Sequence, residues 1–188
     1  MAALNVVIAI WLVLLGVWIV GAMTAKRTVR REVGPSRLGQ LALNLTTWVL
    51  MTNQGPAHTA LNARAAPDTI AVQGMGLAIA LAGALFTLWA RFTIGRNWSG
   101  NITVKSDHEL MTRGPYAIVR HPIYSGLLLT LLGTAFVVGE YRSFIAVGFA
   151  FAGWKWKSLT EERVMTEQFG EAYLEYKRRV KALVPFVL

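Results

Sequence analysis

Two stretches, residues 4–23 and 70–90, run without a single charged side chain and with hardly a polar one. A helix rises about 1.5 Å per residue and a bilayer hydrocarbon core is about 30 Å thick, so each stretch is long enough to cross a membrane. In hydrocarbon no water satisfies backbone N–H and C=O groups, which leaves a helix as the form such a segment can take. The first stretch has no basic residue before it and is too long for the apolar part of a signal peptide, so it reads as a retained span. The whole chain agrees: 54% of its residues are hydrophobic and its mean hydropathy is +0.44, beyond what a soluble domain usually shows.

Three further segments complete an all-α bundle. Residues 38–51 are apolar but hold Asn44, Thr46 and Thr47; residues 123–138 and 144–156 are apolar and divided by Gly139-Glu140-Tyr141-Arg142, which predicts a tight helical hairpin. The net charge of +9 falls between these blocks, not in a stripe with base-stacking aromatics, so it reads as a topology signal and excludes a nucleic-acid binder. Lys26, Arg27, Arg30, Arg31 and Arg37 crowd the first loop, whereas the loop at 53–68 carries only Arg64 and Asp68. The third loop, with Arg91, Arg96, Lys105, Arg113 and Arg120, and the tail, with Lys177 to Arg179 and Lys181, are again basic. Positive residues stay cytoplasmic, so five spans with the N-terminus outside and the C-terminus inside satisfy every loop. One membrane domain over residues 1–188 follows, with three spans in 1–90 and a loop, the hairpin and a C-terminal helix in 91–188. That last helix is predicted from Ser158: Ser158 and Glu161 have the spacing of a capping box, and Met165, Phe169, Tyr173, Tyr176 and Val180 recur at helical spacing, as in an amphipathic helix on the membrane surface.

The chemistry concentrates in residues 97–126, far more polar chain than two neighbouring spans need between them. Gly114-Pro115 marks a turn, and Pro122 both restrains His121 to extended geometry and suits the first turn of a helix. The N–H groups of Ile123, Tyr124 and Ser125 at that helix start, with the positive end of its dipole, make a seat for a carboxylate or phosphate. Tyr116 and Tyr124 flank it with rings able to pack on a heterocycle or a cation, although an interfacial aromatic belt accounts for either ring alone. Glu161 and Glu162 follow the fifth span directly, where a carboxylate is costly unless hydrated, paired or used. A helix N-terminus that favours acids explains at least one of them. In an antiparallel hairpin, His121, Tyr124 and the Glu pair converge on the cytoplasmic side. Gly74-Met75-Gly76 lacks the context of a dinucleotide fingerprint and reads as span packing. The three histidines have no metal-ligand spacing, and the absence of cysteine excludes thiolate chemistry.

Gly114-Pro115-Tyr116, Val119-Arg120-His121-Pro122, Tyr124 and Gly126, followed by Glu161-Glu162, Phe169-Gly170, Tyr173, Tyr176 and Pro185, resemble the isoprenylcysteine carboxyl methyltransferases. The phospholipid N-methyltransferases share parts of this pattern. It covers about the C-terminal half; the first two spans carry none of it. The resemblance implies a membrane methyltransferase that binds S-adenosylmethionine through Asn101, His108, Glu109, Leu110, Met111, Tyr116, His121, Pro122, Ile123, Tyr124 and Glu161. Asn101 stands where the family usually has glutamine. Lys157 stands where it has an arginine that holds the methyl acceptor, keeping the charge and losing the two-pronged grip on a carboxylate.

Methyl transfer from a sulfonium is an in-line displacement that needs aligned reactants and no metal. A carboxylate acceptor needs no base, whereas an amine acceptor would call on Glu162 or His121. Lys157 and Glu162 are thus the candidate catalytic residues. The expected partners are a lipophilic or lipidated acceptor entering from the bilayer and the membrane lipids themselves. A phospholipid or amine N-methyltransferase, or a steroid-reductase-like enzyme using NADPH, are the alternatives.

Overall fold

The computed structural model describes residues 2–23, 28–31, 35–52, 60–95, 103–105 and 110–185. Among them run, in order, α1 (Ala2–Met23), β1 (Thr28–Arg31), α2 (Pro35–Thr52), α3 (Ile70–Ile94), β2 (Thr103–Lys105), α4 (Pro122–Val138), α5 (Tyr141–Phe169) and α6 (Glu171–Arg179). The fold is helical, and α1 and α3 are long and apolar enough to cross a membrane. Large apolar side chains such as Leu12, Ile19, Leu45, Trp48, Leu85 and Phe92 are exposed on α1, α2 and α3, the surface expected where lipid is the solvent. One antiparallel ribbon, with Thr28 opposite Lys105 and Arg31 opposite Thr103, joins the first loop to the third, a contact with no signature in the sequence.

The central pair is α3 on α4. Gly76, Ala80, Gly83 and Thr87 recur every three or four residues on α3 and face Gly126, Gly133 and their neighbours on α4. A Cβ on Gly83 would sit 2.4 Å from the Thr130 amide nitrogen, and one on Gly133 would sit 2.3 Å from that of Ala80. Small residues at this spacing let two backbones touch, which replaces the hydrophobic drive that lipid cannot provide. Gly76 is thus span packing as expected, while Gly74 faces open space. Two of the three buried threonines on the seam are satisfied internally: Thr130 Oγ1 donates to Gly126 O and Thr134 Oγ1 to Thr130 O, with Trp11 Nε1 on α1 donating to Thr134 Oγ1 at 3.1 Å, whereas the buried Thr87 hydroxyl has no hydrogen-bond partner among the described residues.

The predicted hairpin of α4 and α5 is present. It turns at Gly139, whose φ of 75° favours glycine. At that end the buried Arg142 pairs with Glu140 at 2.5 Å and donates to Leu50 O and Met51 O, capping α2 against α5. The helix expected to start at Ser158 does not exist as a separate element. α5 runs unbroken from Tyr141 to Phe169, and Ser158 lies buried inside it with its hydroxyl donating to Lys155 O instead of capping anything. No breaker intervenes until Gly170, whose φ of 54° ends the helix and starts α6. Arg91, counted from the sequence as a loop cation, is buried in the last turn of α3 and donates to Gly95 O at 2.8 Å.

Candidate functional site

The chain before α4 is shaped by its turns. Gly114 (φ 61°) leads into a short 3-10 turn, Gly114–Ala117, that buries Pro115 and Tyr116. Val119 then bridges to Lys181, and residues 119–121 are covered by the chain that follows α6; His121, expected to be extended before Pro122, has φ −122° and ψ 61°, short of the extended region, as it turns into the helix. Arg120 N donates to Lys181 O at 2.8 Å, His121 N to Ala182 O at 3.0 Å, and Ser125 Oγ to Leu183 O at 2.5 Å, with Leu183 almost fully buried. Tyr176 of α6 donates its hydroxyl to Tyr116 O at 2.6 Å. The apolar face of the tail, read from the sequence as a membrane anchor, therefore packs in part on the protein: Tyr173 and Tyr176 are both buried. Pro122 takes the first helical position and is buried, as expected of a residue whose missing N–H costs a helix start nothing. The Ser125 N–H is not available to a ligand, because it donates to His121 O at 3.1 Å.

His121, Tyr124, Glu161 and Glu162 converge as the hairpin predicted. Tyr124 donates its hydroxyl to Glu161 Oε1 at 2.6 Å, and His121 Nδ1 lies 3.4 Å from Glu161 Oε2. The other imidazole nitrogen, Nε2, lies 3.3 Å from Glu162 Oε1. Both ring nitrogens thus face carboxylates, an arrangement that only the doubly protonated ring satisfies on both sides. Burial opposes charge on His121, but the two carboxylates outweigh it and raise its pKa. Burial also opposes charge on Glu161, and hydrogen bonding from His121 with the positive charge of Lys157 overcomes it, so its pKa is lowered.

The two glutamates differ in what they have left to offer. Glu162, 4% exposed, receives Arg120 Nε at 3.0 Å and Nη2 at 2.5 Å on Oε1, and Lys177 Nζ at 2.8 Å on Oε2. Desolvation works against its charge, but His121, Lys177 and Arg120 together hold it far below the ordinary carboxylate range. So committed a carboxylate is a poor proton acceptor. Glu161, at 21% exposed, has Tyr124 and His121 on its oxygens among the described residues, and a carboxylate can accept from further donors.

Three rings form a ladder here. His121 and Tyr124 lie 5.7 Å apart and 10° from parallel, and Tyr124 and Trp154 lie 6.2 Å apart and 11° from parallel. Lys157 Nζ sits 5.5 Å from the centre of the Tyr124 ring. Beside the ladder, Tyr116, Ile123 and Ala90 form a buried cluster joined by Met111, Ile94 and Trp18. Tyr116, Met111 and Ile123 thus meet near the site, with Tyr116 and Ile123 in the core. Leu110 lies half-buried in the preceding coil, whereas Asn101, His108 and Glu109 fall outside the described residues.

Sequence reasoning missed Arg120, Lys177 and Trp154 as parts of this site. Arg120 was legible as a loop cation and as part of the Val119-Arg120-His121-Pro122 motif but with no role of its own, and its guanidinium in fact binds Glu162, Lys177 O and Val180 O, tying α5 and the tail to the start of α4.

Residues 76–171 match the isoprenylcysteine carboxyl methyltransferase (ICMT) family, a match that takes in His121, Tyr124, Trp154, Glu161 and Glu162. Protein-S-isoprenylcysteine O-methyltransferase B of Arabidopsis thaliana is 34% identical over 121 residues, covering 62% of this chain and 60% of that protein. The human protein-S-isoprenylcysteine O-methyltransferase is 35% identical over 117 residues, covering 60% of this chain and 40% of that one. The chain therefore spans well under two thirds of the human relative and somewhat under two thirds of the Arabidopsis one. A solved structure of the eukaryotic intramembrane Ras methyltransferase ICMT shares the fold, with a TM-score of 0.58 at 24% identity over 82% of this chain and 55% of that one. With more than half its length matched and the His121–Glu161 site inside the matched region, this chain belongs to the isoprenylcysteine carboxyl methyltransferase family.

Proposed function

We propose that this chain is an integral-membrane methyltransferase that uses S-adenosylmethionine to esterify the carboxylate of a lipophilic acceptor, an isoprenylcysteine or a close chemical relative. The observation that carries the reading is the meeting of Tyr124 and His121 with Glu161, at 2.6 and 3.4 Å, inside the family-matched region. The donor set suits the cofactor: Glu161 is an ionised carboxylate with acceptor capacity to spare for ammonium or hydroxyl donors, beside stacked rings suited to a heterocycle and a cation. Asn101, His108, Glu109, Leu110, Met111, Tyr116, Pro122 and Ile123 are the remaining proposed contacts. When bound, the cofactor supplies a sulfonium methyl: an acceptor oxygen forms the O–CH3 bond while the S–CH3 electron pair returns to sulfur. The protein's part is alignment. Lys157 offers a cation for the acceptor carboxylate one helical turn from Glu161.

Glu162 acts in this reading as a positioning residue, not as a base. With neither glutamate basic enough to deprotonate an ammonium, and with both His121 nitrogens protonated and committed to Glu161 and Glu162, a carboxylate acceptor is favoured over an amine, and family membership favours methyl transfer over a nicotinamide reductase. α1 to α4 and residues 144–156 of α5 serve as five spans, with the N-terminus outside and this site, whose glutamates lie beyond residue 156, on the cytoplasmic side. The test is to incubate the purified protein, in bilayer discs, with methyl-labelled cofactor and S-farnesylcysteine bearing a free carboxylate. A base-labile labelled methyl ester is expected; label on nitrogen, or none, overturns the reading.

A further inference from the structure

Trp154, Lys157 and Glu161 stand at i, i+3 and i+7 on α5 and so share one face of the helix. At about 1.5 Å of rise per residue they are spread along the axis over roughly 10 Å. The order is an aromatic ring at the end of the apolar run, then a cation, then a carboxylate. The neighbouring side of α5 is taken by α2: a Cβ on Gly39 would meet the Trp156 ring at 2.6 Å, and one on Gly153 would meet Leu43 at 3.3 Å. Trp154 turns instead toward α4, where one face of its indole lies on Tyr124, and it remains half-buried.

We propose that Trp154 is a specificity-determining residue: its uncovered indole surface holds the lipid chain of the acceptor while Lys157 holds that acceptor's carboxylate. This deepens the methyltransferase reading above and rests on it. The polarity order along α5 is the reverse image of an amphiphile whose apolar chain lies in the bilayer and whose carboxylate points to the cytoplasm. A chain too short to reach the indole keeps its grip on Lys157 and loses the apolar contact. Of the proposed cofactor contacts the indole stacks on Tyr124, which lies between it and His121, so S-adenosylhomocysteine affinity has to be followed alongside KM to separate an effect on the acceptor from one on the cofactor.

The test compares S-farnesylcysteine with S-methylcysteine, whose side chain ends just past the sulfur and cannot reach the indole, on wild type, Trp154→Leu and Trp154→Phe in bilayer discs, with S-adenosylhomocysteine affinity measured on each. Trp154→Leu is expected to raise KM for the farnesyl acceptor about tenfold, to raise it far less for S-methylcysteine, and to leave kcat and S-adenosylhomocysteine affinity within twofold. Trp154→Phe is expected to fall between. An unchanged farnesyl-to-methyl KM ratio overturns the proposal, as does a loss of S-adenosylhomocysteine affinity parallel to the KM change. Photocrosslinking from a chain-end diazirine on the farnesyl group covers the case of a variant that does not fold: in wild type a crosslink on the α5 segment around Trp154 is expected, and one confined to α1 or α3 overturns the proposal. Wild type that binds S-adenosylhomocysteine and methylates neither acceptor overturns the carboxylate reading itself, a result distinct from an unaltered chain-length ratio.

Discussion

Arg120→Ala tests how the site is held together. The Arg120 guanidinium and Glu162 carboxylate are 7% and 4% exposed, and two guanidinium nitrogens reach Glu162 Oε1 at 3.0 and 2.5 Å while the third group, Nη1, serves Lys177 O and Val180 O. Removing one partner of a buried pair costs about 3–5 kcal/mol, chiefly because the other charge stays buried. Here Lys177, at 2.8 Å and 45% exposed, and His121 remain on Glu162, so the low end applies, about 3 kcal/mol. At about 1.4 kcal/mol per tenfold, the folding equilibrium shifts about 150-fold. The assay is equilibrium unfolding in mixed micelles, followed by tryptophan fluorescence. Arg178→Ala is the control: its pair with Glu171, 64% and 75% exposed, contributes less than about 1 kcal/mol. Because Arg120 also fastens the tail over His121, Arg120→Ala is expected to weaken S-adenosylhomocysteine binding under fully folded conditions. Arg120→Ala with wild-type stability, or no more affected than Arg178→Ala, refutes the view that this pair locks α4, α5 and the tail together.

Glu161→Gln should weaken S-adenosylhomocysteine binding by at least tenfold in calorimetric titration, and Tyr124→Phe by less, since the ring stays in the ladder and His121 stays on Glu161. Unaltered affinity in Glu161→Gln removes that residue from the cofactor site. In pH dependence, the raised pKa of His121 means its contribution to stability is complete below about pH 6.5 and is lost as pH climbs through the folded-state value; the lowered pKa values of Glu161 and Glu162 mean that theirs is present above about pH 4.3 and lost as pH falls. Unfolding midpoints should therefore decline on the alkaline side in wild type, and an identical decline in His121→Gln assigns it to another group. Gly133→Ala places a Cβ 2.3 Å from Ala80 N and should destabilise by about 2 kcal/mol through separation of α3 from α4, whereas Gly148→Ala, facing open space, should not.

Much of the helical architecture was legible because lipid leaves a long apolar segment few alternatives: residues 4–23 and 70–90 lie within α1 and α3, and Gly139-Glu140 does divide α4 from α5. The end of α5 was misread because Ser158 and Glu161 have capping spacing in one dimension, while nothing local tells a cap from a buried serine bonded to its own helix. The ribbon of β1 with β2 pairs residues more than seventy positions apart and was invisible for the same reason.

At the site, sequence alone determined the residue types and their order: a His-Pro helix start, two tyrosines and a Glu pair just beyond an apolar run, enough to point to the chemistry. Only the tertiary structure decided how the two glutamates differ. Adjacent on one helix, they lie about 100° apart around its axis, so Glu162 turns inward to Arg120, Lys177 and one side of His121, while Glu161 faces Tyr124 and keeps acceptor capacity. Chain order cannot express that division, because the cations that use up Glu162 come from before α4 and from α6, and they meet only when the hairpin closes and the tail folds back across His121.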